Sequence, residues 1–416
     1  MKFILSLLLT LFIAASSAQV IKNNQIIIGN TDNVSSKILN EKRKIWVYVP
    51  PAGDDTIYAK NRYPVVYVLD GDAHFAGLTA MTRHLAQTDN ALCPKMIVVG
   101  IPNTNRTRDL TPTNSIIGPD GKRMEWLKAS GGGEKFVAFM EKELIPHIDS
   151  LYPTAPYKIL IGHSFGGLTV MNILVNHKEM FNAYVAIDPS MWWDSRRLLN
   201  QAKEVLKQQN YKGQSLYLAI ANTMADGMDT MKVRKDTSSE NGHIRSILDL
   251  ADILKNTTKT DGLNFAYRYY TDDDHPSVPF IAEYDAIRFL FRFYAFPKSD
   301  VIALSDVKSK TDPVQLIQKQ YDKLSAVMGY KVLPPGETLN TLGYYYLQNG
   351  APGKAFSVFN LNIQNYPQSF NVYDTMGDYY STQNNKAQTI VYYNKALKLH
   401  ENPETREKLN KLLVKK

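Results

Sequence analysis

Gly162-His163-Ser164-Phe165-Gly166-Gly167 decides how this chain is read. The stretch fits G-x-S-x-G, and the residues on either side of it fit as well. Tyr157-Lys158-Ile159-Leu160-Ile161 precedes it as an apolar run of strand length. Leu168-Thr169-Val170-Met171-Asn172-Ile173-Leu174-Val175 follows, apolar enough for a buried helix. A strand that enters a helix through so tight a turn holds its serine in a strained conformation. Neighbouring side chains would collide there, hence the glycines. Such a turn lifts the Ser164 hydroxyl above the sheet. It also aims the Phe165 backbone N–H at the oxygen on which charge would develop during attack on a carbonyl. Ser164 is the candidate nucleophile, and Phe165 supplies the first oxyanion donor.

Outward from this elbow, Lys44–Val49, Val65–Leu69 and Met96–Gly100 read as strands before it. Tyr184–Ile187, Leu216–Ile220 and Phe265–Tyr270 read as strands after it. Helix-like stretches at Lys135–Leu151, Arg197–Gln208 and Ile281–Phe293 alternate with them. Short apolar strands separated by helices call for a mostly parallel sheet with helices on both faces. With the elbow, this is the α/β-hydrolase fold, in which the chain order is Ser, then Asp or Glu, then His.

A serine nucleophile needs a base and a carboxylate that orients the base. The chain has 8 histidines. After the elbow, His177 is too near it in sequence, His243 falls at a helix start and His400 lies in the C-terminal tail. His275, in Asp272-Asp273-Asp274-His275-Pro276-Ser277-Val278, follows the last strand. That loop opens on the edge of the sheet that carries the elbow, so His275 is the expected base. The acid is expected after the preceding strand, in the loop Asn222–Asp229. Asp229 is the first choice, Asp226 the reserve and Glu240 a distant third. The second oxyanion N–H is expected from Gly71 or Asp72, in the loop after Val65–Leu69. His74 and Trp192-Trp193 are expected to line the substrate pocket, the alternative being that a Trp packs in the core. His163 is read as structural.

Beyond Pro297 the pattern is helical only. Thr341-Leu342-Gly343-Tyr344-Tyr345-Tyr346 returns as Thr375-Met376-Gly377-Asp378-Tyr379-Tyr380, 34 residues later. This is the tetratricopeptide period. The expected organisation is a signal at residues 1–18, an α/β-hydrolase domain at 19–297, a helical linker at 298–334 and repeats at 335–416. Two repeats are fewer than usually stand alone, so they are expected to pack on the helix near Pro313–Met328 or on the main domain. They offer either a surface for a protein partner or a structural cap.

The 416 residues are 44% hydrophobic and 21% charged, the balance of an ordinary globular protein. The net charge of +8 is spread along the chain without a basic block, so no nucleic-acid partner is expected. Cys93 is the only cysteine. It excludes an intrachain disulfide and a thiolate zinc site, and neither a metal nor a cofactor is expected. Lys2, the apolar run Phe3–Ala15 and the small residues Ser16-Ser17-Ala18 before Gln19 read as a secretory signal. The run is short for a membrane span of about 20 residues. A secreted or periplasmic protein is expected, cleaved near Ala18.

Val66–Asp72, the Gly-His-Ser-Phe-Gly-Gly elbow, Trp192-Trp193-Asp194 and His275-Pro276-Ser277-Val278 together resemble one esterase family of α/β hydrolases. It includes esterase D, feruloyl and acetyl-xylan esterases, and hydrolases of ferric siderophores. The resemblance covers roughly Lys44 to Phe296 and is strongest to the siderophore-hydrolase branch. Tyr330–Pro335 followed by repeats is similar to secreted bacterial members of that branch. The resemblance implies a serine esterase working through an acyl-enzyme on Ser164. Siderophore esters or lactones are slightly favoured as substrate over feruloyl or acetyl polysaccharide esters. The other class of reading is a non-catalytic binding protein on a hydrolase scaffold.

Overall fold

The structure, a computed structural model, describes residues 25–51, 57–58, 61–88 and 90–414. The expected signal at residues 1–18 lies outside them. The chain divides into two compact units, Met1–Pro51 with Tyr63–Arg292, and Ala52–Arg62 with Phe293–Lys416.

The first unit is built on eight strands: β1 (Asn30–Ser36), β2 (Glu41–Tyr48), β3 (Tyr63–Leu69), β4 (Ile97–Ile101), β5 (Thr154–His163), β6 (Ala183–Ile187), β7 (Ser215–Ala221) and β8 (Asn264–Tyr270). They form one sheet in the order β1-β2-β4-β3-β5-β6-β7-β8. β1, β2 and β4 pair antiparallel, and every pairing from β4 through β8 is parallel. The central strands β3, β4, β6 and β7 are buried at every residue. That is why they read as unbroken apolar runs, since helices cover both faces of a parallel sheet. β2 alternates exposed and buried along its first half, as expected near an antiparallel edge. β1, with the sequence NTDNVSS, carries no apolar alternation that would announce it. It forms because its backbone pairs with β2 along its full length.

This order places a switch point between β3 and β5. From β3 the chain moves outward to β4, and from β5 it moves the other way to β6. Ligands of open α/β sheets bind at the carboxyl ends of strands at such a switch. The carboxyl end of β3 runs into the helix Gly71–Ala86, and that of β5 into the helix Phe165–Asn176. The strand β8 leads through the His275 loop into the helix Val278–Leu290.

The second unit is helical: Lys298–Ser305, Pro313–Met328, Gly336–Gln348, Pro352–Asn365, Phe370–Thr382, Lys386–Leu399 and Pro403–Val414. The stretch 298–334, expected as a helical linker, carries the helices Lys298–Ser305 and Pro313–Met328. Ile317, from the Pro313–Met328 helix, shares a core with Leu339, Tyr346 and Phe359. A side chain on Gly343 would collide with the Phe359 ring, and one on Gly377 with the Tyr393 ring. The same contact recurs 34 residues on, so the sequence period is a repeat of packing. Tyr58 belongs to this unit. Its hydroxyl donates to Asn371 Oδ1 at 3.0 Å, and its ring stands edge-on to Tyr366.

Candidate active site

Ser164 caps the helix Phe165–Asn176 with φ 59° and ψ −115°, a conformation an L-residue rarely adopts. A Cβ on Gly162 would collide with the Gly166 backbone, so the turn excludes any side chain there. The strain is held from both sides. The Ser164 N–H donates to Ile187 O at 3.0 Å, and Ser164 O accepts from Leu168 N at 2.9 Å and from Ser190 N at 3.1 Å. The hydroxyl lies 3.4 Å from Ser190 Oγ. The Phe165 N–H, at the first helical position, has no carbonyl within its helix to bond.

His275 stands in a loop locked by its own acidic neighbours. Ser277 N and Oγ donate to Asp274 Oδ1 and Asp273 Oδ1, each at 3.0 Å. The Asn222 N–H donates to Asp273 O at 2.8 Å. The loop brings the His275 ring to 4.4 Å from that of His163, the residue before the serine. His275 Nδ1 lies 2.6 Å from Asp188 Oδ2.

The carboxylate at His275 is therefore Asp188, not Asp229 or Asp226. Asp229 caps a short helix by accepting from Met231 N at 2.9 Å and Lys232 N at 2.7 Å, and its side chain is 55% exposed. Asp226 and Glu240 are exposed. The expectation looked one strand too far along the sheet. Asp188 follows β6, and the order Ser164, Asp188, His275 is still the one the fold requires. With φ 39° the residue turns its carboxylate beneath the histidine loop. Its N–H donates to Ala219 O at 2.8 Å and its Oδ1 accepts from Ala221 N at 2.9 Å. A second imidazole, His243 Nε2, lies 2.7 Å from the same Oδ2. The Asp188 side chain is fully buried. Burial alone would raise its pKa. The hydrogen bonds and positive potential from His243 and His275 outweigh that and hold it far below the usual carboxylate range. An acidic residue directly after the buried strand Ala183–Ile187, as Asp188-Pro189-Ser190, was the available signal.

Asp188, His243 and His275 are also the one group with metal-ligand spacing among the described residues. Ligand atoms around a tetrahedral zinc stand about 3.3 Å apart. The separations of 2.6 and 2.7 Å are those of hydrogen bonds.

The helix Gly71–Ala86 starts beside the elbow. A Cβ on Gly71 would lie 2.5 Å from Ile101 N of β4, so only glycine fits there, and one on Gly166 would lie 3.3 Å from Asp70 Oδ2, which sets the two helix starts side by side. Asp70, with φ 52°, turns β3 into that helix. Its carboxylate accepts from Arg106 Nε and Nη2 at 2.7 and 3.0 Å and from Asn103 Nδ2 at 2.6 Å. Burial works against its charge, but the Arg106 hydrogen bonds prevail and lower its pKa. The N–H groups of Gly71 and Asp72, in the first turn, have no acceptor within their helix.

His74 is mostly buried, with Nδ1 2.7 Å from Glu283 Oε1. Burial opposes its protonation, but Glu283 outweighs burial and raises its pKa. His163 lies between His74 and His275, with ring centroids 6.3 and 4.4 Å away. Its burial, then the nearby His275, push its pKa down to about 3, so it is neutral. Trp193 is buried and its Nε1 donates to Thr113, which makes it a core residue; Trp192 is only partly covered. Trp126, which the motif reading passed over, is 60% exposed with its ring 6.3 Å from Phe165. It sits in a long polar segment with no periodicity to mark it.

The family described as "Putative esterase" matches residues 36–277, more than half of the chain. The chain belongs to that esterase family. The esterase is 27% identical to the siderophore triacetylfusarinine C esterase of Aspergillus fumigatus, over 61% of this chain and 90% of that protein. It is 28% identical to the ferri-bacillibactin esterase BesA of Bacillus subtilis, over 48% of this chain and 72% of that one. Among solved structures, an IroE-like serine hydrolase from Shewanella oneidensis superposes with a TM-score of 0.67 at 32% identity. That match covers 81% of this chain and 99% of the other. The esterase is thus a carboxylic ester hydrolase on an eight-stranded α/β sheet with a helical C-terminal unit. No described helix is long and apolar enough to cross a membrane.

Proposed function

We propose that the esterase is a serine hydrolase of siderophore-type esters or lactones, acting through an acyl-enzyme on Ser164. The observation that carries this reading is the 2.6 Å contact of His275 Nδ1 with the buried Asp188, in a loop that meets the elbow. An Nδ1–H held by a carboxylate leaves Nε2 unprotonated and able to take a proton. Ser164 Oγ attacks the ester carbonyl while His275 Nε2 accepts its proton. The tetrahedral oxyanion is stabilised by the N–H groups of Phe165 and of Gly71 or Asp72. Collapse breaks the C–O bond, and the imidazolium returns the proton to the leaving alcohol. Water, activated by the same base, then releases the acid and restores the serine. Ser164 and His275 share no hydrogen bond among the described residues. Such contacts often tighten only when substrate binds.

The siderophore assignment rests on the names of the A. fumigatus and B. subtilis relatives. Iron in such a substrate is cargo, and no residue is required to hold it for the ester to be cleaved. A turnover screen of a ferric siderophore trilactone, a feruloyl ester and an acetylated sugar tests the assignment. Preference for the lactone by kcat/KM supports it, and preference for either of the others replaces it. Secretion after cleavage near Ala18 is proposed on the leader sequence, and tetratricopeptide-type repeats on the 34-residue recurrence of the Gly–aromatic contact.

A further inference from the structure

His243 takes no part in the serine mechanism, yet it is built into the same carboxylate. It sits in the first turn of the helix Gly242–Asp261, whose start is fixed independently of it. Asn241, buried just before the helix, accepts from Ala225 N at 2.9 Å and donates to Asp236 Oδ2 at 2.8 Å. Arg245 holds Asp236 at 2.9 Å. With the backbone so placed, the mostly buried His243 ring reaches Asp188 Oδ2 at 2.7 Å and stands perpendicular to the His275 ring, 5.1 Å away.

The two imidazoles use one oxygen. Oδ1 of Asp188 is taken by the Ala221 N–H, so both rings converge on Oδ2. An ionised carboxylate is acceptor-only, so each ring nitrogen must present an N–H to it. Two donors on one oxygen compete for its charge, and each bond is weaker than it would be alone. The second donor also stops the carboxylate from rotating. We infer that His243 is a positioning residue for the esterase reaction: it fixes Asp188 and moderates the hold of Asp188 on His275. The inference rests on the proposed serine mechanism for its effect on rate, but not for the sharing of Oδ2.

The titratable and charged groups around this pair come from several elements. His163 of β5 faces His275, and the Asp272–Asp274 turn carries His275 itself. Beyond His163 stand His74 with Glu283, and Asp70 with Arg106. None of these touches Oδ2, so a change confined to His243 is read through Asp188.

The test uses the full chain with histidine labelled by nitrogen-15, as wild type, His243→Phe and His243→Gln. Two quantities are read: the rate at which a fluorophosphonate labels Ser164 as a function of pH, and the low-field proton resonance of the bond between His275 and Asp188. Removing the donor in His243→Phe should lower the labelling rate about tenfold, the scale on which outer partners of a working imidazole act. It should move the acidic limb of the profile to higher pH and shift the low-field resonance. His243→Gln, whose amide can still donate, should recover most of the rate and the wild-type limb. A His243→Phe protein with an unshifted limb and an unshifted resonance overturns the inference, whatever its rate. If His243→Phe does not fold, His243→Gln set against His243→Leu decides in the same way. A wild-type protein that is not labelled at Ser164 would defeat the serine mechanism alone, because the resonance still reports whether His243 governs the bond to His275.

Discussion

Asp70 and Arg106 join the two halves of the proposed oxyanion site. Arg106 gives two N–H groups to the Asp70 carboxylate at 2.7 and 3.0 Å, and its Nη2 also lies 3.2 Å from the carbonyl of His163. One guanidinium therefore ties the start of the Gly71–Ala86 helix to the last residue of the elbow strand. Its cation also lies over the Phe165 ring at 5.5 Å. Arg106→Met should leave a largely buried Asp70 without its cation. Breaking a buried pair costs about 3–5 kcal/mol, and Arg106, with 35% of its side chain exposed, brings that down to about 2 kcal/mol. The expected outcome is a lower midpoint in urea unfolding and a fall in kcat on a small ester with little change in KM. A fall in KM affinity alone would place Arg106 in substrate binding instead.

Asp188→Asn keeps the shape and removes the charge. An acid-to-amide change of this kind costs a serine–histidine unit about 10⁴-fold in kcat. Asp229→Asn and Asp226→Asn should remain near wild type, because neither carboxylate reaches His275. Rates of the three variants on p-nitrophenyl acetate separate the assignments.

His163 makes stability depend on pH. Its pKa is about 3 in the folded protein against about 6.5 when unfolded. Below pH 6.5 the unfolded chain binds this proton and the folded chain does not, so stability falls as pH drops. From pH 7 to pH 5 this group alone removes about 2 kcal/mol, and the loss continues until about pH 3. Asp188, with its depressed pKa, acts in the same direction at lower pH: its contribution is complete above about pH 5 and is lost as the carboxylate is protonated. A His163→Gln protein should therefore show a flatter unfolding midpoint between pH 7 and 5. A slope equal to the wild type's would mean that His163 is protonated in the fold.

The helical unit has its own check. Gly343→Ala and Gly377→Ala each place a methyl group against an aromatic ring, Phe359 in one case and Tyr393 in the other. Overpacking of this kind costs about 1–3 kcal/mol. Both variants should lower the thermal midpoint of the helical unit by similar amounts while leaving small-ester turnover intact. Unequal effects would argue that the two helix pairs are not equivalent repeats.

Much of this was legible in the sequence. The strands β3 to β7 announce themselves as apolar runs because both their faces are buried, and the elbow announces itself because only glycines fit around Ser164. β1 was not legible, since NTDNVSS is held by backbone pairing with β2 and carries no pattern of its own. Asp188 was missed for a geometric reason. Sequence order allows the acid after either β6 or β7, and only the left-handed turn at Asp188 shows which carboxylate passes under the histidine loop. His243 was passed over because a histidine at a helix start has no sequence mark for a partner 55 residues away in the chain. The pairing of Asp70 with Arg106 was hidden likewise, because it joins loops 36 residues apart.

In the proposed mechanism Ser164 is a nucleophile driven by His275 and Asp188. Intact mass and peptide mapping after exposure to a fluorophosphonate measure this directly. One adduct is expected, on the peptide carrying Ser164, absent in Ser164→Ala and slowed by orders of magnitude in both His275→Ala and Asp188→Asn. An unlabelled wild-type protein, an adduct on another residue, or a His275→Ala protein that reacts at the wild-type rate would contradict it.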